Sequence, residues 1–173
     1  GSLENLNGLK RIPHVSWRYD ASMFRGIFIL EHMLRNQRFD WITQTISAAF
    51  GPIGIYRVLN SFKNELSYAP RFLGIQQENN CPMFRAWKTK KDFEPVEIRS
   101  TGQLLAKVMY DAKPYTYGTY LELKEVLSDS AGDMTTINRS EFVDFLGRNF
   151  ERKGVLGVLK DNGIEITAND GEV

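Results

Sequence analysis

Apolar side chains return at helical intervals over residues 22–34, where Met23, Phe24, Ile27, Phe28, Leu30, Met33 and Leu34 form one broad stripe expected to be buried. Ser22 is a good N-cap for that helix, and Asn36-Gln37-Arg38 breaks its pattern. A second helix is expected after Asp40, with Trp41, Ile42, Ile46, Ala49 and Phe50 turned inward. Gly51 then ends it and Pro52 opens a third, the usual order for a C′ glycine and an N1 proline. The third helix is predicted to run to about residue 67. Ile55, Val58, Leu59, Phe62 and Leu66 occupy its core face, and Arg57, Asn60, Ser61 and Asn64 the opposite one. Beyond Tyr68-Ala69-Pro70 the pattern predicts a strand over 71–77, a turn at 78–82 and a returning strand over 83–89. A loop of that length between paired strands describes a wing more than a tight hairpin.

The second half repeats this order without repeating residues. A helix is predicted over 101–112, with Leu104, Leu105, Val108 and Met109 inside, a second over 119–127 and a third over 140–152. Segments 154–159 and 164–167 then flank Asp161-Asn162-Gly163, whose Asn-Gly is a strong two-residue turn signal. Residues 3–20 carry Lys10, Arg11, His14 and Arg18 around Pro13 and are expected to be an ordered arm. Gly1-Ser2 has the look of a tag-cleavage scar.

Charge sharpens the division. Residues 1–91 hold thirteen Lys/Arg against six Asp/Glu, whereas residues 92–173 hold nine against fifteen, so a net charge of +1 conceals a basic half and an acidic half. Polyanion contact is therefore expected in the first half alone. The polar face at 57–64 is nearly free of acids, with Glu65 the one exception between Pro52 and Glu78. Arg can bridge guanine and Asn adenine in a major groove, while Ser and Lys suit phosphates. Arg57, Asn60, Ser61, Lys63 and Asn64 are accordingly the candidate base- and phosphate-contacting residues. Arg85, Lys88, Lys90 and Lys91 near the expected wing are candidate phosphate contacts.

The helix–helix–helix–wing order of residues 22–89 and 101–167 resembles the winged helix-turn-helix superfamily. Paired modules of this kind are similar to those of plasmid and phage replication initiators and of some transcription regulators. The resemblance implies a mainly α fold with small antiparallel β-hairpins, as two tandem winged-helix-like domains. Their expected bounds are 3–91 and 100–168, with 92–99 as linker. It also implies that the third helix reads duplex DNA while residues 71–89 form the wing. In the second copy Asp144 and Arg148 can neutralise one another at four-residue spacing, which favours protein contact or homodimerisation there. The expected role is an accessory factor of replication or transcription, and the competing one a protein-interaction adaptor that binds no nucleic acid.

Other chemistries are poorly served. One cysteine, Cys81, excludes an intrachain disulfide and fits an intracellular compartment. His14, His32 and Cys81 lie far apart, and neither a Gly-Lys-Ser/Thr phosphate loop nor His-Glu-x-x-His occurs, so no catalytic role, metal or cofactor is expected. The stretch from Asp129 to Glu141 has the outline of a calcium loop. Ala131 and Met134 occupy positions needing a ligand and a glycine, however, and Glu141 arrives one residue late. No apolar run approaches the ~18 residues of a membrane span.

Overall fold

In a computed structural model of the chain, the described residues are 14–91, 104–106, 109–110 and 119–142, with side chains from residue 17 onward. The elements in order are α1 (His14–Leu34), β1 (Trp41–Thr45), α2 (Phe50–Ser61), β2 (Arg71–Gln77), α3 (Pro82–Thr89), α4 (Tyr120–Asp129) and β3 (Asp133–Ile137). Contacts divide the chain into two compact units, residues 1–38 with 50–69, and residues 39–49 with 70–173.

The first unit is built on α1 packed against α2. Two glycines set how closely they approach. A Cβ on Gly26 would lie 2.8 Å from Val58 Cβ and 2.9 Å from the Ile55 carbonyl oxygen. One on Gly54 would lie 2.5 Å from Ser22 Cβ and 2.7 Å from the Ser22 carbonyl carbon. Each helix therefore has a side-chain-free spot where the other's backbone rests. Leu30, Met33, Ile53, Ile55, Tyr56, Val58 and Leu59 are buried in this unit. The chain leaves α1 through Asn36, in the left-handed region at φ 64. Asn36 N–H donates to the Met33 carbonyl at 3.0 Å and Gln37 N–H to the His32 carbonyl at 3.0 Å, the paired bonds of a Schellman ending.

Among the described residues the second unit holds a three-stranded, all-parallel sheet in the order β1-β2-β3. Trp41 pairs with Arg71 and Thr45 with Ile75, and on the other side Leu73 pairs with Asp133 and Gln77 with Ile137. The central strand is the most enclosed, with Phe72, Gly74, Gln76 and Gln77 buried. α4 packs on β2 and α3 on β3. Phe72, Met83, Leu123, Leu127 and Met134 form the fully enclosed core.

This architecture overturns the expected fold class. The chain is not mainly α with antiparallel hairpins, and the described residues form no winged-helix pair: the sheet is parallel and α/β in character. Residues 41–45, expected in a helix, form β1, as suits a run of Trp, Ile and two Thr. The expected wing at 71–89 is β2 followed by α3. Pro82 begins that helix, where its missing N–H costs nothing, and Met83 and Ala86 are buried at helical spacing. β2 pairs with β1 on one side and, on the other, with β3, about sixty residues further on by the register just given, rather than with the segment that follows it. The supposed calcium loop contains β3 itself. The expected arm is helical from His14 onward, and α2 ends at Ser61 rather than near 67. Residues 104–106 have no helical structure, whereas α4 coincides with the helix expected over 119–127. The segments expected at 92–99 and 154–167 lie outside the described residues, as does most of the helix expected over 140–152.

Candidate ligand site at the carboxyl edge of the sheet

Strands that run parallel end together, so the loops leaving β1, β2 and β3 lie along one edge of the sheet. After β1 the ladder continues one residue further, Ile46 N–H donating to the Ile75 carbonyl at 2.8 Å. The chain then turns through Ser47, Ala48 and Ala49. Ala49 is buried and has φ 60, a left-handed conformation that a Cβ disfavours. Thr119 at the head of α4, also buried, donates its hydroxyl to the Ala48 carbonyl. A strained, buried turn held by a side chain from another element is the pattern of a shaped loop rather than a slack connection.

The loop after β2 is organised by two buried glutamines. Gln76 donates Nε2 to the Ile46 carbonyl at 3.4 Å and accepts from Phe84 N–H through Oε1 at 3.0 Å, tying the β1 loop to the first turn of α3. Gln77 accepts from Leu105 N–H at 2.8 Å and from Ala106 N–H at 3.1 Å. It also donates Nε2 to the Ala106 carbonyl at 3.1 Å. Asn80 N–H returns to the Gln77 carbonyl at 2.9 Å, and Glu78 N–H reaches the Ile137 carbonyl of β3 at 2.9 Å. Beyond β3, Asn138 caps the next turn: its Oδ1 accepts from Glu141 N–H at 2.9 Å, and its own N–H donates to Glu141 Oε2 at 3.0 Å. That reciprocal pair is a capping box.

Cys81 sits beneath this edge, buried, with Sγ–H donating to the Glu78 carbonyl at 3.1 Å. Burial pushes its thiol up from the ordinary value, against an opposing pull from Arg85. The thiol is therefore protonated at neutral pH and is not poised as a nucleophile. Among the described residues no group of three or more His, Cys, Asp or Glu could hold a metal ion. The amides of Gln76 and Gln77 and the hydroxyl of Thr119 are thus engaged within the protein, where they hold the loops at this edge in fixed places.

The residues singled out for DNA contact fall in two groups. Arg57, Asn60 and Ser61 lie on α2, and Lys63 and Asn64 in the turn after it, all exposed. The Arg57 guanidinium is stacked 4.2 Å over the Tyr19 ring, and Ser61 Oγ donates to the Arg57 carbonyl at 2.8 Å. Arg85 and Lys88 belong to α3, with Lys90 at its left-handed C-cap and Lys91 next, so none of the four is on a wing. Lys88 Nζ binds Asp133 at 2.7 and 2.8 Å, and Trp87 Nε1–H donates to the same carboxylate at 2.8 Å. Lys90 Nζ lies 4.0 Å from the Trp87 ring. Partial burial alone would raise the Asp133 carboxyl, but hydrogen bonds from Lys88, Met134 N–H and Trp87 hold it below its ordinary value. Lys88 and Trp87 thus help fasten α3 to β3.

Gln76, Gln77, Thr119 and Asp133 were not legible as organisers. A Gln-Gln pair closing a strand has the same pattern as a solvated strand end, and their burial depends on partners 28 or more residues away for Gln77 and 30 for Gln76.

No protein-family model matches the chain, and no curated protein matches it. Among solved structures it is similar to a T.th. threonine deaminase, with a TM-score of 0.50 and 9% identity over 76% of this chain and 44% of that one. The chain thus spans less than half the length of that structure, and the likeness is one of α/β fold. Among the described residues no helix is long and apolar enough to cross a membrane.

Proposed function

We propose that the sheet-bearing unit belongs to a small-molecule-binding α/β domain, which holds a polar ligand of amino-acid size over the carboxyl ends of β1 and β2. The observation that carries this reading is the loop at 46–49, with its buried left-handed Ala49 and its tie to Thr119. In open α/β sheets ligands collect outside the carboxyl ends of the strands, where loops can be shaped without disturbing the ladder. The likeness to threonine deaminase adds a ligand class worth testing first, a hydroxylated amino acid. The non-enzymatic role expected from the sequence has no support in this fold. Calorimetric titration of the full chain with L-threonine, and separately with inorganic phosphate as an anion probe, tests the proposal. Saturable binding of either is expected, weakened about fivefold in Thr119→Val, the equivalent of roughly 1 kcal/mol for one lost hydrogen bond. Absence of binding by both would reject it.

A second reading keeps duplex DNA as ligand of the first unit. It rests on the exposed run Arg57, Asn60, Ser61, Lys63 and Asn64, which contains no acid before Glu65. Replacing Arg57 and Lys63 with Gln should then flatten the salt dependence of binding by about 0.9 in log–log slope per lost phosphate contact. An unchanged slope would remove this face from any such interface.

A further inference from the structure

Helix α1 carries a large apolar surface on the side away from α2. Trp17 is 66%, Phe24 73% and Phe28 62% exposed, and Ile27 and Leu34 stand beside them at 52% and 56%. Gly26, Leu30 and Met33 are buried on the other side of the same helix. The exposed positions 17, 24, 27/28 and 34 recur at sevens split into threes and fours, the spacing of a helix–helix seam. With aromatic side chains of 150–250 Å² each, the patch comes to roughly 600 Å² per copy, at the top of the range that soluble monomers leave uncovered.

We propose that a second copy of this chain covers it, with two α1 helices packed antiparallel about a twofold axis between Ile27 and Phe28. The polar residues along the seam favour this occupant. Placing Ile27 of one copy opposite Phe28 of the other puts Asp20 opposite Arg35, and the twofold axis produces that opposite-charge pair twice. The same register sets Ala21 opposite Leu34, small against large. It also sets Phe24 opposite Glu31, whose carboxylate is already paired with Arg35 Nη2 at 2.5 Å within its own helix. Asp20 thus meets its opposite on the other copy and Glu31 within its own helix. In this register the two α1 helices overlap over residues 21–34, about 21 Å, with Asp20 and Arg35 at the two ends. Two such patches bury at most about 1,200 Å², the lower bound of stable interfaces, with Trp17 beyond the helix overlap, so a weak and reversible association is expected. This goes beyond the ligand-binding proposal and places self-association in the first unit, where the sequence suggested it in the second half.

Sedimentation velocity on the full chain, from sub-micromolar to tens of micromolar, tests it. The expected result is a reversible monomer–dimer equilibrium that Phe24→Lys abolishes while the circular dichroism spectrum stays unchanged. Asp20→Arg should weaken the dimer at least tenfold. Asp20→Arg with Arg35→Asp, made with Glu31→Gln to avoid two carboxylates at four-residue spacing, should restore most of it, because only the antiparallel register pairs positions 20 and 35 between copies. A monomer at every concentration would overturn the proposal and leave the face to a different protein. A dimer indifferent to Phe24→Lys, or one the double reversal fails to rescue, would overturn the interface or its register.

Discussion

The two units of this chain achieve close contact between elements by opposite means. In the helix pair, specificity is steric: Gly26 and Gly54 are bare positions against which a facing backbone rests, and the surrounding contacts are apolar. In the sheet unit, it is polar: Gln76 and Gln77 reach out from a buried strand end and satisfy groups on the β1 loop, α3 and residues 104–106. The first arrangement tolerates no added atom, whereas the second tolerates no lost hydrogen bond. The contrast suits their proposed uses, since a helix pair that presents one outer face needs only rigidity, while a ligand edge needs loops whose backbone groups stay put.

The comparison can be broken most forcefully at Gly54. Gly54→Val should cost about 3 kcal/mol or more in urea unfolding, because its branched carbons would enter the Ser22 backbone of α1. A near-neutral result would show that the helices can separate freely and that the contact is not steric. Next comes Gln77→Leu, similar in volume but unable to hydrogen-bond. It strands three backbone groups of Leu105 and Ala106 and is expected to cost roughly 2 kcal/mol, with faster amide exchange at both residues. Unchanged exchange there would mean that residues 104–106 are held by something else.

Asp133 offers a smaller and more diagnostic effect. The Lys88 ion pair is about half exposed, so it contributes less than about 1 kcal/mol after solvent screening. The folded carboxyl lies below its ordinary 3.8, so its contribution is present above that value and lost as pH falls through the lower folded one. Asp133→Asn should therefore be less stable than the parent at neutral pH, with the difference closing in acid below the ordinary carboxylate value. A gap that stays constant down to that range would exclude the ionised carboxylate as its source. Asn36→Gly, at a left-handed position flanked by backbone bonds it does not alter, should leave stability within a few tenths of a kcal/mol.

Several features were decided by local sequence. The helical spacing from Met23 to Leu34 and the Asn36 break specify the later turns of α1 and its end, but not its start at His14. Phe24, Ile27, Phe28 and Leu34, expected inside, are exposed because α2 covers only one side of the helix. The run at 71–77 contains bulky and β-branched residues between turn signals, and α4 has the apolar spacing of Tyr120, Leu123, Val126 and Leu127. The exposure of Arg57, Asn60 and Ser61 followed from the same helical geometry that buries Ile55, Val58 and Leu59, whereas Lys63 and Asn64 are exposed in the turn beyond the helix. Only the tertiary structure decided the identities of residues 41–45 and 82–89. Five to eight residues cover barely one or two helical turns, so their apolar positions satisfy a period of two or of 3.6 equally well. Parallel pairing then settled the rest. A strand in such a sheet finds its partner across a long crossover, and neither the union of β2 with β3 nor the edge where Gln77, Thr119 and Ala49 act is written in any local stretch of the chain.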